Sequence, residues 1–300
     1  MQHHLFHLHA LSALHAGTGQ AVGAVDLPIA RERANGLPYF PGSSLKGVLR
    51  DRCTAGDECE SLFGPERIAA NEDAFAGALA IGDASLLLLP VRSMAGVMAW
   101  ATCPFVLRRY AADRAIFAAT GGTTDRATKL PPLPTIAPQQ AFVADPTCLK
   151  IDATHLVIDD LDLEAQSDPA TTQWAQLLRD TLFPGDEQAK QHFDKRFTIL
   201  SDDDFGFLAE TATEVRARIR IDETTGTVQR GALWYEENLP AETVLWGLMG
   251  VGPSRAKDDR RTSADMQRAF VNAVGAVATL QLGGKASVGR GLARFALMGA

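Results

Sequence analysis

The chain has only four cysteines, Cys53, Cys59, Cys103 and Cys148, and no two of them form a Cys-x-x-Cys pair. Paired-cysteine metal and redox motifs are therefore missing. Free thiols in a reducing cytoplasm are expected, and a zinc site on Cys53 and Cys59 has little support. No stretch approaches the ~18 consecutive apolar residues of a membrane helix. The N-terminus has no basic region followed by an apolar one, so secretion is not expected either. Cofactor signatures are missing too. The glycine-rich run 283–291 fails as a Walker A loop, because Thr279 stands at the first glycine position and Ala286 replaces Ser or Thr. It fails as a dinucleotide fingerprint because Arg294 occupies the final glycine position.

What is present is an ordinary globular composition. The 300 residues are 46% apolar and 22% charged, enough for one large domain or two small ones with a buried core. The net charge of −7 argues against a free-standing nucleic-acid binder, but its distribution is uneven. Residues 1–150 carry 13 basic and 13 acidic side chains, 151–211 carry 4 and 14, and 212–300 carry 12 and 9. The acidity belongs to one middle segment. Both ends are compatible with RNA.

The densest signals lie between His15 and Arg50. Pro41-Gly42 halts what precedes it, and Ser43 or Ser44 can cap a helix over 44–52. Leu45, Val48 and Leu49 would face a core, while Lys46 and Arg50, four apart, share the opposite face. Free N–H groups, serine hydroxyls and a lysine in one first turn suit a phosphate. An ordinary surface helix with two solvated cations has the same spacing. Upstream, Pro28 holds Leu27 extended, so 25–29 is a short rigid segment that aims the Asp26 carboxylate. A lone Asp near a proline is also a common turn or cap residue. Gly17-Thr18-Gly19, beside His15, reads as a flexible bend.

Residues 3–14 alternate, with Phe6, Leu8, Ala10 and Leu14 on one face and His3, His7, His9 and His15 on the other. The expectation is a strand with one buried face and one partly exposed face, on which His7 and His9 could touch RNA. The segment 79–91 reads as one or two core strands, Pro104 starts a helix to Ala119, and 121–146 is a long loop with five prolines. Ser201 before three aspartates reads as a helix cap. Arg216, Arg218 and Arg220 alternate with apolar residues on one arm of a hairpin near 215–235, a spacing that suits a phosphate backbone or a solvated strand face. Residues 262–280 read as an amphipathic helix, and the loop 283–291 after it can present bare N–H groups to phosphate.

The run Pro-Tyr-Phe-Pro-Gly-Ser-Ser-Leu-Lys-Gly-Val-Leu-Arg (38–50) resembles the signature of the RAMP superfamily of CRISPR proteins. Three further stretches resemble the backbone subunit of the type III-B (Cmr) effector complex. They are Leu-Leu-Pro-Val-Arg-Ser-Met-Ala-Gly-Val (88–97), Gly-Ala-Leu-Trp-Tyr-Glu-Glu-Asn-Leu-Pro (231–240) and Gln-Leu-Gly-Gly-Lys-Ala-Ser-Val-Gly-Arg-Gly (281–291).

Strand 3–14, helix 44–52, strands within 79–91, helix 262–280 and strand 292–298 give the order βαββαβ, an α+β ferredoxin-like core. On this reading the palm is 1–52, 79–100 and 262–300. The insertions are 53–78 and 104–260, with about half the chain inserted between the third strand and the second helix. The resemblance implies the same palm with thumb and lid insertions, the thumb being the hairpin near 214–236. One sheet face is expected to be free for RNA. The resemblance also implies copies stacked along crRNA, with other subunits of the effector complex, cutting complementary target RNA by attack of a 2′-OH assisted by Mg²⁺ or Mn²⁺. Asp26 matches the family's catalytic aspartate and is the implied metal ligand, with His15 and Glu236 or Glu237 as orienting groups. RNA contacts are implied for Ser43, Ser44, Lys46, Arg50, Arg216, Arg218, Arg220, Gly283, Gly284, Lys285, Ser287, Gly289 and Arg290. A non-cutting scaffold, a stand-alone guide-processing endoribonuclease and an unrelated metabolic enzyme remain as alternatives.

Overall fold

A computed structural model describes residues 1–17, 25–54, 56–65, 74–120 and 130–299. Thr18, Gly19 and the first part of the proline-rich loop, 121–129, lie outside the described residues. From the N-terminus the elements are β1 (Gln2–Ala10), β2 (Tyr39–Phe40), α1 (Gly42–Arg52), α2 (Gly56–Phe63), β3 (Leu79–Ile81), β4 (Ala84–Arg92), β5 (Met98–Thr102) and α3 (Pro104–Ala119). Then come β6 (Gln140–Val143), β7 (His155–Ile158), β8 (Leu161–Ser167), α4 (Pro169–Leu182), α5 (Glu187–Asp194), β9 (Phe197–Leu200) and α6 (Asp202–Thr211). The last third holds β10 (Glu214–Ile221), β11 (Val228–Asn238), β12 (Val244–Val251), α7 (Ser263–Val274), β13 (Val277–Gln281) and β14 (Leu292–Leu297).

One large sheet runs β13-β14-β1-β12-β4-β5-β9-β6-β8-β7, and β10 and β11 form a separate hairpin. Within it, β14, β1, β12 and the β3/β4 pair are mutually antiparallel neighbours, the 4-1-3-2 order of a ferredoxin-like core. The expected core is present, but its third strand is β12, not part of 79–91. The insertion therefore lies between the second and third strands. The sheet continues outward through β5, β9, β6 and β8, so much of the acidic middle segment extends the palm sheet.

The face opposite α7 is not free. Phe6 stacks on Phe295, which meets Phe270 of α7, and this is the expected buried face. On the histidine face, α3 packs down. His7 Nε2 is 3.0 Å from the Tyr110 hydroxyl, Tyr110 meets Trp246 edge to face, and the Trp246 indole N–H donates to Asp113 Oδ2 at 2.9 Å. His4, His7, His9 and His15 are all buried. Burial, and then Arg114, lower the His7 pKa to about 3, so its ring is neutral. His9 meets Glu242 at 2.7 Å. The partly exposed histidine face, and RNA contact through His7 and His9, are thus corrected. Leu14 and His15 also fall beyond the strand, which ends at Ala10.

Local chemistry explains the other boundaries. Ser201 accepts from the Asp204 N–H at 3.1 Å as the α6 cap, as expected. Thr262 and Asp265 form a capping box at the start of α7. That helix stops at Gly275, whose φ of 100° suits glycine, so 277–281 is a strand and not the helix end expected over 262–280. The glycine loop consequently joins two strands. Helix α2 brings the Cys59 Cα to 5.8 Å from that of Cys53, and the two form a disulfide. Free thiols at these positions, and a zinc site on them, are corrected; Cys103 and Cys148 are free.

Candidate nucleic-acid interface

The segment 25–29 adds a third, parallel strand to the base of the hairpin. Leu27 bridges to Glu236, its N–H donating to the Tyr235 carbonyl at 3.1 Å and its carbonyl accepting from the Glu237 N–H at 3.0 Å. Asp26 is exposed at the end of this pairing, and its Oδ2 accepts from the Tyr235 N–H at 2.8 Å. Among the described residues its Oδ1 has no partner. Glu237 fastens the same segment from the other side. Its Oε2 accepts from the Ile29 N–H at 3.0 Å, and its Oε1 from Arg31 at 2.6 Å and Thr213 at 2.9 Å. Every bond Glu237 makes is to the fold.

His15 is held against this base. Its Nδ1 is 2.7 Å from the Glu237 carbonyl oxygen, which can only accept, so Nδ1 carries a proton and donates it, and in the neutral ring Nε2 is the acceptor nitrogen. Gly17 leaves room there, since a Cβ on it would fall 2.6 Å from Nε2. The glycine loop closes over the His15 backbone: the Gly284 N–H donates to the His15 carbonyl at 3.2 Å. A Cβ at Gly283 would lie 2.2 Å from that oxygen, and φ there is +71°. Only glycine fits. Between this loop and α1 is an open pocket of ≈ 300 Å³ lined by Ala16, Gly17, Phe40, Pro41, Ser44 and Gly283, among others.

Glu236 is the electrostatic centre. It is 1% exposed. Its Oε1 accepts from the Trp234 indole at 2.9 Å and from Lys285 Nζ at 3.1 Å, and its Oε2 from Arg218 Nε at 3.2 Å. Burial alone would raise its pKa, but these donors outweigh it and hold the carboxyl at about 2. An ionised, three-fold bonded carboxylate is a poor proton acceptor. Trp234 escaped the sequence reading, although its two-residue spacing from Glu236 on β11 places it on the same face.

The helix α1 is less open than its sequence implies. Its cap is Pro41, with no side-chain bond, and the Gly42 N–H donates to Asp83 Oδ1 at 2.7 Å. Ser43 and Ser44 are exposed, but neither caps the helix. Lys46 Nζ bends back to the Leu79 carbonyl at 3.2 Å, and burial followed by Arg50 lowers its pKa. Arg50 is half-buried beside it. Gly283, Gly284, Ser287 and Gly289 are exposed on the loop, Lys285 is half-buried, and Arg290 is buried. On β10, Arg216 and Arg220 are exposed, and Arg216 pairs with Glu214 at 2.5 Å. The structure thus brings Asp26, His15, Glu236 and Lys285 around one hairpin base.

A divalent ion would need oxygen or imidazole donors. Among the described residues no group of three or more His, Cys, Asp or Glu side chains is placed to cage one. Asp26 is an exposed carboxylate at the hairpin base, an oxygen donor of the kind Mg²⁺ takes one or two of.

Fold and site define a ferredoxin-like palm whose polar cluster sits where an inserted hairpin meets a glycine loop. The sequence model of the RAMP superfamily matches residues 7–294, and the chain belongs to that superfamily. It is 35% identical to the CRISPR system Cmr endoribonuclease Cmr4 of Pyrococcus furiosus, over 99% of this chain and 96% of that protein. The crystal structure of oligomeric Cmr4 from Pyrococcus furiosus superimposes with a TM-score of 0.73 at 26% identity, covering 100% of this chain and 99% of that one. A chain in the cryo-EM structure of the type III-B Cmr-beta complex bound to cognate target RNA has a TM-score of 0.72 at 18% identity, covering 99% and 97%, and shares the fold.

Proposed function

We propose that this chain is the backbone subunit of a type III-B CRISPR effector, binding crRNA in a row of copies and cutting complementary target RNA at the Asp26 site. The observation that carries it is the convergence of Asp26, His15 and the Lys285-bearing loop, distant in sequence, on one hairpin base. The likeness to a Cmr endoribonuclease over nearly both full lengths supports it, and so does the likeness to an oligomeric Cmr4. No helix among the described residues is long and apolar enough to cross a membrane. A cytoplasmic location fits the expected site of guide and target.

In this reading the backbone of bound RNA meets Ser43, Ser44, Lys46, Arg50 and the exposed loop residues Gly283, Gly284, Ser287 and Gly289. The hairpin acts as the thumb. Its second face carries exposed Val215, Ile219, Ile221 and Leu233, which suit a gap between bases. Asp26 and His15 flank the scissile phosphate. The target 2′-oxygen bonds to phosphorus, the bond to the 5′-oxygen breaks, that oxygen takes a proton from water, and a 2′,3′-cyclic phosphate and a 5′-hydroxyl result. The 2′-OH proton passes to Asp26 Oδ1 or to His15 Nε2, neither of which has a hydrogen-bond partner among the described residues. Lys285, and Arg218 where phosphate draws it from Glu236, balance the charge that develops on phosphorus oxygens. Mg²⁺ or Mn²⁺, which Asp26 would hold, would supply Lewis-acid stabilisation of that charge. The Asp26–Tyr235 bond favours one second reading, a scaffold in which Asp26 serves only the fold.

The test is a guide-loaded assembly given complementary and scrambled RNA under single-turnover conditions. Regularly spaced cuts confined to complementary RNA are expected. Tight complementary binding without cuts leaves the scaffold, and indifference to complementarity removes the guided reading.

A further inference from the structure

Neither RNA binding nor cutting uses the joined pair Cys53 and Cys59. Cys53 ends α1, its N–H donating to the Arg50 carbonyl at 2.9 Å, and Cys59 lies midway along α2. The two are six positions apart in sequence, with Cα atoms 5.8 Å apart.

The fold does not require this bond. Small secreted domains need disulfides because they cannot build a core, whereas this chain buries a large one. Leu45 and Leu49 anchor α1, Leu62 and Phe63 anchor α2, and none of the four is more than 4% exposed. Side chains tie down both helices as well. Arg52 Nε donates to the Val274 carbonyl at 3.0 Å, and Ser61 Oγ to Asp259 Oδ2 at 3.2 Å. In a reducing cytoplasm, the location that fits the proposed function, a disulfide is usually transient or redox-sensing.

The two sulfurs are unequal. Cys53 is half-buried, while Cys59 is buried, so a thiol from solution reaches Cys53 first. Arg50 and Arg52, in the last turn of α1, place positive charge on that side and favour an anionic reactant. Asp57, Glu58 and Glu60 flank Cys59 and disfavour one there. The remaining cysteines are placed differently. Burial pushes the Cys103 thiol up, and Cys148 Sγ donates to the Lys195 carbonyl at 3.3 Å.

We infer that Cys53 and Cys59 form a reversible thiol–disulfide site that exchanges with a small anionic thiol of the glutathione class. In oxidation the Cys53 thiolate attacks glutathione disulfide, forming a Cys53–glutathione bond and releasing one glutathione thiolate. The Cys59 thiolate then attacks the Cys53 sulfur, closing the protein disulfide and releasing the second. The two protons lost by the cysteines go to the two glutathione thiolates, and two electrons pass to glutathione disulfide. Reduction is the reverse, entered at Cys53. The closed pair clasps the first turn of α2 to the end of α1. Gly56 and Asp57 in that turn are exposed, and a helix of eight residues does not hold itself in water. Opening the pair loosens the start of α2 while its buried end keeps its seat. The site stands whether or not α1 touches RNA.

The experiment incubates the whole chain in glutathione buffers from mainly reduced to mainly oxidised, quenches it in acid, and alkylates it unfolded for mass measurement. Four alkylated cysteines are expected at the reducing end and two at the oxidising end, with a transition between. Arg52 and Arg67 bracket both cysteines in one tryptic peptide, so the missing pair is read directly. Cys59→Ser should take up one glutathione at Cys53, and Cys53→Ser should take up far less at Cys59. Amide hydrogen exchange in α2 should speed up ~10-fold or more on reduction, with α7 unchanged. Two alkylated cysteines throughout, with reduction only in denaturant, would make the bond structural and overturn the exchange site. Four throughout would overturn it from the other side. Equal uptake in the two single variants would overturn entry at Cys53, and unchanged hydrogen exchange in α2 would overturn the clasp.

Discussion

Lys285 of the palm loop lies 3.1 Å from Glu236 at the base of the hairpin, across 49 residues of sequence, and Arg218 holds the other oxygen of the same carboxylate. The carboxylate is buried, so its ionisation is tied to the fold. Glu236 sits at about 2 in the folded chain against an ordinary 4.5. A depressed carboxyl stabilises the fold fully above the unfolded value and loses that contribution as pH falls through the folded one. The window is therefore from about 4.5 down to about 2. The contribution is at most ~3 kcal/mol. Urea unfolding near pH 6 and near pH 3 checks it. The wild type should lose more stability between the two than Glu236→Gln, and equal losses would mean that Glu236 does not govern the acid limb.

Lysine contacts to RNA should show in salt and in pH. Lys285→Gln and Lys46→Gln should each lower the salt slope of RNA binding by about 0.7. Neutral replacements are preferred, because a reversed charge at 285 would face the buried Glu236. Lys46 has a lowered pKa, so its contribution to RNA affinity should fade as pH rises below the range where an ordinary lysine deprotonates. Lys46→Arg, always charged, should flatten that decline. An unaltered decline would remove Lys46 from the RNA site.

How much of this was legible in the sequence follows from the range of each interaction. The N-terminal strand and the Pro104 start of α3 are local, and both stand in the structure. That α3 covers the histidine face is a tertiary fact that period-two spacing cannot carry. The strand Val244–Val251 was missed because it is buried on both faces and does not alternate. Its Gly247 reads as a breaker, yet a Cβ there would lie 2.5 Å from the Phe6 ring. Motif resemblance named Asp26, His15, Glu236 and Lys285 as candidates, and the structure brings them around one hairpin base. The resemblance could not show that Arg218 and Lys285, 67 positions apart, share one carboxylate. Arg31 carried no signal at all, as it lies outside every motif.

Arg31 is the subject of a stability prediction. Its guanidinium bonds Glu237 Oε1 at 2.6 Å and the carbonyls of Gly36 and Ala209, each at 2.9 Å. Arg31→Met leaves a buried carboxylate short of its cation, which costs ~3 kcal/mol. Thermal unfolding should fall by several degrees, and target cutting should fall with it, because the same carboxylate positions Ile29 and the 25–29 segment. Arg31→Lys, which keeps the charge but not the three-way fork, should recover part of the stability. A melting curve unchanged in Arg31→Met would show that Glu237 is held by Thr213 and Ile29 alone.

Asp26 is where structure and chemistry can be separated most sharply. One oxygen accepts from the Tyr235 N–H at 2.8 Å, and the residue is exposed. Asp26→Asn keeps a carbonyl oxygen that can accept the same bond, so the cap on the 25–29 pairing survives while the charge is lost. If the role is only structural, folding, guide loading, target binding and cutting should all persist. If Asp26 takes the 2′-OH proton or holds a cation against the phosphate, cutting should fall by ~10² or more with the other three intact. We expect the second outcome, with cutting in the wild type dependent on added Mg²⁺ or Mn²⁺. Asp26→Ala supplies the contrast, since it removes the cap as well and should lower the melting temperature where Asp26→Asn does not. Single-turnover cleavage with excess guide-loaded protein measures the rate. Cutting at the wild-type rate in Asp26→Asn would move the chemistry to His15, whose Nε2 has no hydrogen-bond partner among the described residues. Loss of guide loading together with cutting would make Asp26 a residue of the fold.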